Sequence, residues 1–327
     1  MFCLSMAGSS KREFILETKN PKRDLSKAFF QRLQERTAQD NLTTLVEKIK
    51  ELNLKVIIAP GFISGLGKIG GQRNLSNLAN SLERMGLVKG FDFAFAPFNT
   101  FQGVEYNAKK LADFVTAAYS DHGKKSLIIG HSMGGLHTEK MLFDYPETRK
   151  MVHRFVGLQN PWKGSLVADK IEEIVPTRIF MHTLLRVFTR SLNREKVKMA
   201  KKALIDLQVK ERGRFYSEHY QDWQEVQKEV IHLEYATHFP KEKESVKKKL
   251  NYHSIYSLLV SFFRYFHHGQ DNDYFVARAS QVRDESMYYV EDEGDHLSVV
   301  MSNQTNGSEE RVEKLSALLL LALSLEN

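Results

Sequence analysis

Leu127-Ile-Ile-Gly-His-Ser-Met-Gly-Gly-Leu136 is the stretch whose reading decides the fold. Apolar β-formers run into the G-x-S-x-G pentad Gly130–Gly134, which opens directly into a helix-forming segment. A serine at such a strand–turn–helix bend presents its hydroxyl above the sheet edge, in a strained backbone that tolerates only small neighbours. Gly130 and Gly134 leave that room, so Ser132 is the candidate nucleophile and Gly130, His131 and Gly134 form its elbow. The amide of Met133, at the start of the helix, points to where an oxyanion would form. The pentad alone recurs by chance in about one chain in ten of this length. The weight therefore rests on its setting between strand and helix.

Working outward, short apolar runs occur at Leu54–Ala59, Phe91–Pro97, Ser126–Gly130 and Val152–Leu158. Helical patterns separate them near Asn74–Met85, Val104–Tyr119 and Gly134–Asp144. Continuous apolar strands alternating with helices predict a doubly wound, mostly parallel α/β sheet flanked by helices. Residues 163–250 break the rhythm: rich in charge and helix formers, they carry no clear strand and read as a helical cap or lid. Strand signals return at Tyr256–Phe266 and Met287–Val290, and Ser308-Glu-Glu announces a last helix. The expected organisation is an N-terminal extension over 1–53, partly disordered then helical from Asp24 to Leu52. A first core part over 54–162, the cap over 163–250 and a second core part over 251–327 follow it.

A serine needs a base. Of twelve histidines, His131 lies inside the elbow with its ring expected to point away from the base position. His137 falls on the following helix, and His267 and His268 follow an apolar run. His296 follows the last strand and an acidic loop, just where the Ser…Asp…His order expects the base. Asp273 is the candidate orienting acid, at the end of the loop 269–273 and leading into the apolar Tyr-Phe-Val. Asp271 is its local rival, and Asp292 and Asp295 lie near the histidine. For a second oxyanion donor, Ala59-Pro-Gly-Phe62 ends an early strand and offers the amide of Phe62. A plain strand-ending turn would need Pro-Gly as much.

Ala59-Pro-Gly-Phe62, Gly130-His-Ser-Met-Gly134, Asp273-Tyr-Phe-Val276 and Gly294-Asp-His-Leu297 together resemble the lipase and esterase branch of the α/β hydrolases. The segment Val156–Asp169 is similar to the stretch of bacterial triacylglycerol lipases that leads from a sheet strand into the lid. The resemblance covers roughly 54–169 and 256–327 and implies the α/β-hydrolase fold, with a Ser132–Asp273–His296 triad cleaving carboxylic esters of apolar acyl groups. Two departures stand out. Ala59 occupies the place of the usual histidine in the oxyanion loop. Ser298 follows His296-Leu297 where many such lipases carry a calcium-binding aspartate, so no metal and no cofactor is expected.

The net charge is +7, and Pro161–Leu250 carries 19 Lys and Arg against 13 Asp and Glu. Within it, Arg178, His182, Arg186, Arg190, Arg194 and Lys198 recur at every fourth position beside Phe180, Leu184, Phe188 and Leu192. This basic amphipathic pattern fits a cap helix with one solvated face, or a lid helix that meets anionic membrane. The expected partner is a lipid or small apolar ester, with no nucleic acid. The start lacks a secretory pattern and Leu315–Leu325 is too short to span a bilayer, so a cytoplasmic or peripheral location is expected. Cys3, the single cysteine, leaves this sequence no internal disulfide. Beside hydrolysis, two readings stay open: acyl transfer by the same residues, and a catalytically silent binding module.

Overall fold

The computed structural model describes residues 23–35, 37–62, 75–99, 101–173, 194–238, 271–273, 275–283, 286–292, 296 and 308–326. Six strands are described: β1 (Leu54–Ala59), β2 (Phe93–Phe95), β3 (Lys125–His131), β4 (Val152–Leu158), β5 (Ile231–His238) and β6 (Met287–Asp292). They form one sheet in the order β2-β1-β3-β4-β5-β6, with every neighbouring pair parallel. Nine α-helices are described with it. They are α1 (Ser26–Glu35), α2 (Ala38–Glu51), α3 (Ser76–Arg84), α4 (Val104–His122), α5 (Met133–Asp144), α6 (Leu166–Glu173), α7 (Arg194–Asp206), α8 (Val209–Glu229) and α9 (Ser308–Ser324).

The apolar runs are continuous because helices cover both faces of the sheet. Val56, Ile58, Leu127, Ile129, Val156 and Leu158 face one way, into a core shared with α1, α2, α3 and α9. Their alternates Ile57, Ala59, Ile128 and Phe155 face the other, against α4, α5 and α8. Leu315–Ala322 are buried as expected, with α9 packed against α2. Arg154 of β4 fastens its end by donating to the carbonyls of Ala322 and Leu325. Among the described residues, no helix is long and apolar enough to cross a membrane.

Two expectations are corrected. Residues up to 53 were expected to form an extension outside the core, yet Phe29, Leu42, Leu45, Val46 and Ile49 are buried in it. The helical pattern from Asp24 to Leu52 is two helices, divided at Thr37. Its hydroxyl accepts from the amide of Asp40, whose carboxylate accepts from the Thr37 amide, a capping box that starts α2 afresh. The segment 163–250 was expected to be helical throughout, yet β5 lies within it, inside the sheet between β4 and β6. Ile231, Leu233 and Tyr235 alternate with His232, Glu234 and Ala236, and all eight residues of β5 are buried. The pattern resembles a half-solvated strand because its polar face is covered by protein instead of water: Glu234 pairs with Arg283 and Ser286, and the His232 ring packs on Phe155 and Trp223. The strand expected at Tyr256–Phe266, the N-terminal residues 1–22 and most of the basic stripe lie outside the described residues.

Phe29 stacks on Tyr289 of β6 at 4.0 Å between ring centroids, which ties α1 to the sheet edge. Phe29→Ala should therefore lower stability by about 3–5 kcal/mol, read as a drop in the urea midpoint at constant m-value. An unchanged midpoint would return α1 to the status of an appendage.

Candidate active site

A parallel sheet brings the ends of its strands to one edge, and the sequence-predicted residues meet there. β3 ends at His131 and α5 begins at Met133, leaving Ser132 between them at φ 52° and ψ −127°. A non-glycine residue in that region is strained by about 1–3 kcal/mol and persists only where its surroundings over-determine it. They do so here. The Ser132 amide donates to the carbonyl of Leu158 at the end of β4. The buried Asn160 side chain donates to the carbonyls of Gly130 at 2.9 Å and Ser132 at 2.6 Å. A Cβ on Gly134 would lie 1.9 Å from the Ala59 carbonyl, and one on Gly135 would lie 2.1 Å from Asn160 Nδ2. The glycines thus let β1, α5 and Asn160 close on the bend.

His296 Nε2 lies 2.8 Å from Ser132 Oγ, and His296 Nδ1 lies 2.7 Å from Asp273 Oδ2. Asp273 is fully buried. Its other carboxylate oxygen accepts from the amides of Val276 at 2.8 Å and Phe275 at 3.1 Å, which fixes its orientation. The acid's loop is pinned in turn: Ser165 Oγ donates to the Phe275 carbonyl, and Gln281 Nε2 to that of Val276. Asp271, the rival, is 34% exposed on its side chain and pairs with Arg278 at 3.5 Å. Asp292 ends β6 in register with His238, and Asp295 lies outside the described residues, as do His267 and His268.

The two residues expected to supply oxyanion donors lie close to Ser132 in the chain or in space. Met133 is the first residue of α5, where backbone N–H groups lack helical partners. Phe62 follows Gly61, where an added Cβ would come within 2.7 Å of the Ser132 Cβ. His137 sits apart, beside Asn107 Nδ2 and the ring of Phe98, and burial pushes its pKa down to about 3. Among the described residues, no cluster of three His, Cys, Asp or Glu could hold a metal ion. With these distances, His296 can take a proton from Ser132 Oγ while its other ring nitrogen donates to Asp273.

Sequence reasoning missed three features. Asn160 was legible only as a polar pair with Gln159 placed directly after an apolar strand. The His131 ring was expected to point away from the base, but its Nε2 lies 2.9 Å from the carbonyl oxygen of His296. A buried ionic network backs the site. Arg283 lies between Trp162 and Trp223, with its guanidinium carbon 3.7 and 3.6 Å from their ring centroids. Arg283 binds Glu234 of β5 and Glu139 of α5, and Glu139 also accepts from Arg212 and Tyr216 of α8. One network therefore joins the elbow helix, α8, β5 and the segment that leads into β6.

Residues 31–172 match the family model of lecithin:cholesterol acyltransferase. Phosphatidylcholine-sterol acyltransferase of Mus musculus is 35% identical over 103 residues, 30% of this chain and 23% of that protein. The chain thus spans less than a quarter of that relative's length. A metagenomic carboxyl esterase superposes with a TM-score of 0.57 at 19% identity, covering 84% of this chain and 75% of the other. The fold is that of the α/β hydrolases. A second α/β hydrolase, the mature lipase of Bacillus licheniformis, gives a TM-score of 0.52 at 16% identity over 75% of this chain and 85% of its own. The family match begins inside α1, in keeping with the place of α1 and α2 in the core.

Gly134→Ala should be tolerated poorly because its methyl group meets rigid backbone, not a mobile side chain. A fall in melting temperature of several degrees is the expected outcome, since about 1–3 kcal/mol of overpacking suffices for it. An unshifted melting curve would mean that β1 and α5 are less closely apposed than described.

Proposed function

We propose that the protein is a serine hydrolase that cleaves carboxylic esters of apolar acyl groups through an acyl-enzyme. One observation carries this reading: the unbroken hydrogen-bonded line from Ser132 Oγ through His296 to Asp273. Ser132 Oγ attacks the ester carbonyl as His296 Nε2 takes its proton, and Asp273 stabilises the resulting imidazolium. The negative charge on the carbonyl oxygen falls to the amides of Phe62 and Met133. As the tetrahedral intermediate collapses, the carbon–oxygen bond to the alcohol breaks and His296 protonates the leaving oxygen. Water then repeats the cycle on the acyl-Ser132 ester, releasing the acid.

The partly buried rings of Phe62 and Phe275, the latter 5.3 Å from that of His296, bring apolar surface to the nucleophile. They support an apolar acyl group, as do the names of the similar lipase and acyltransferases. The acyltransferase family match supports a second reading, in which an alcohol other than water takes the acyl group. A silent binding module has no need of so complete a hydrogen-bonded line.

Ser132→Ala and His296→Ala should each remove hydrolysis of a short-chain p-nitrophenyl ester, and Ser132→Ala should remove labelling by a fluorophosphonate. Asp273→Asn should lower kcat by a factor on the order of 10⁴, the size seen for this change in the serine-protease triad, because an amide favours the wrong tautomer. Activity within tenfold of wild type in any of the three would overturn the assignment. Product analysis with a competing long-chain alcohol separates transfer from hydrolysis.

Peripheral contact with anionic membrane through the basic stripe of residues 178–198 belongs to the same proposal. Each basic side chain near such a surface contributes about 1 kcal/mol, screened over roughly 8 Å at physiological salt. Binding to phosphatidylserine liposomes should weaken with salt and with Arg186, Arg190 and Arg194 changed to Glu, while soluble-ester activity stays near normal. Undiminished binding by the triple variant refutes the contact.

A further inference from the structure

His296 is gripped by its backbone as well as by its ring. Its amide donates to the carbonyl of Asp273 at 3.0 Å. Its carbonyl accepts, at 2.9 Å, from Nε2 of the buried His131 ring, which lies 5.1 Å away between ring centroids. The same two chain segments hold the imidazole, Asp273 at Nδ1 and Ser132 at Nε2. His131 and Ser132 are consecutive at the end of β3, a strand hydrogen-bonded on both sides. The strand that presents the nucleophile therefore also fixes the peptide that carries the base.

We propose that His131 is a positioning residue: as an Nε2–H donor to the His296 carbonyl, it sets the distance between His296 and Ser132. The proposal rests on the hydrolase reading above. A carbonyl oxygen only accepts, so Nε2 must carry the proton. Burial, first, and the neighbouring His296, second, push the His131 pKa down to about 3, so the ring stays neutral across the working range. Neutrality matters because a second cation beside His296 would oppose the imidazolium that forms during turnover. The bond must be geometric, since the donor touches no reacting atom. A displacement of about 1 Å at a reacting group lowers rates by about 10²-fold.

Wild type, His131→Phe and His131→Gln separate the bond from the bulk of the ring. Phe fills the space without a donor, while the amide nitrogen of Gln reaches about as far as the ring's Nε2. His131→Phe should lower kcat about 10- to 100-fold with KM within about twofold, and should slow fluorophosphonate labelling in parallel. His131→Gln should recover most of that loss. The deshielded proton between His296 Nδ1 and Asp273, followed by NMR at low pH, should be sharp in wild type and His131→Gln but broadened in His131→Phe. If His131→Phe does not fold, His131→Asn, whose amide falls short of the carbonyl, takes its place. Unchanged kcat in the donor-free variant, or equal losses in it and His131→Gln, overturns the proposal. Activity retained by Ser132→Ala would instead refute the hydrolase reading. The NMR signal needs no turnover and keeps the two failures apart.

Discussion

Ser132 occupies a backbone conformation that its own side chain disfavours, and much of the site is arranged to hold it there. The strain, of about 1–3 kcal/mol, is borne by contacts from β4, from the residues just after it and from β1. Leu158 receives the amide, Asn160 donates to the carbonyls of Gly130 and Ser132, and Gly134 lets the start of α5 lie against Ala59. The bend is local, but its support comes from the register of β1, β3 and β4.

The same logic extends outward. Asp273 is useful as an acceptor only in a fixed orientation, and the amides of Phe275 and Val276 supply it. Ser165 anchors that loop to the segment after β4. Beneath it, Glu139, Glu234, Arg212 and Arg283 form a buried cluster whose charges are mutually compensated. Such clusters add little net stability compared with apolar packing, but leaving one member unpartnered destabilises by several kcal/mol. Their effect is to specify one arrangement. Here that arrangement joins the elbow helix to α8, to β5 and to the segment that leads into β6.

Much of this was legible in one dimension wherever the signal was local. The strand–serine–helix setting of Gly130–Gly134 located the elbow, and the chain order pointed to Asp273 and His296. β1 could be read to its ends because burial on both faces leaves a run, Leu54–Ala59, that is apolar but for Lys55. β5 escaped because His232, Glu234 and His238 look solvated until the partners that bury them are placed. The N-terminal helices escaped for a related reason. Their sparse apolar positions suit an exposed amphipathic pair, and only the packing of α9 and Tyr289 against them makes them core.

By itself, the sequence determined the alternation of apolar strands and helices, the bend at Ser132 and the candidate residues of each chemical type. Those follow from periodicity, glycine placement and side-chain chemistry, which act over a few residues. Tertiary structure alone decided which acid faces His296. Asp271 and Asp273 differ by two positions in the chain, but one pairs with Arg278 near the surface and the other is buried against the imidazole. It also decided the part of His131, whose partner lies 165 residues away. Contacts across that separation leave no periodic trace, because the sheet register that brings them together is set by the packing of the whole core.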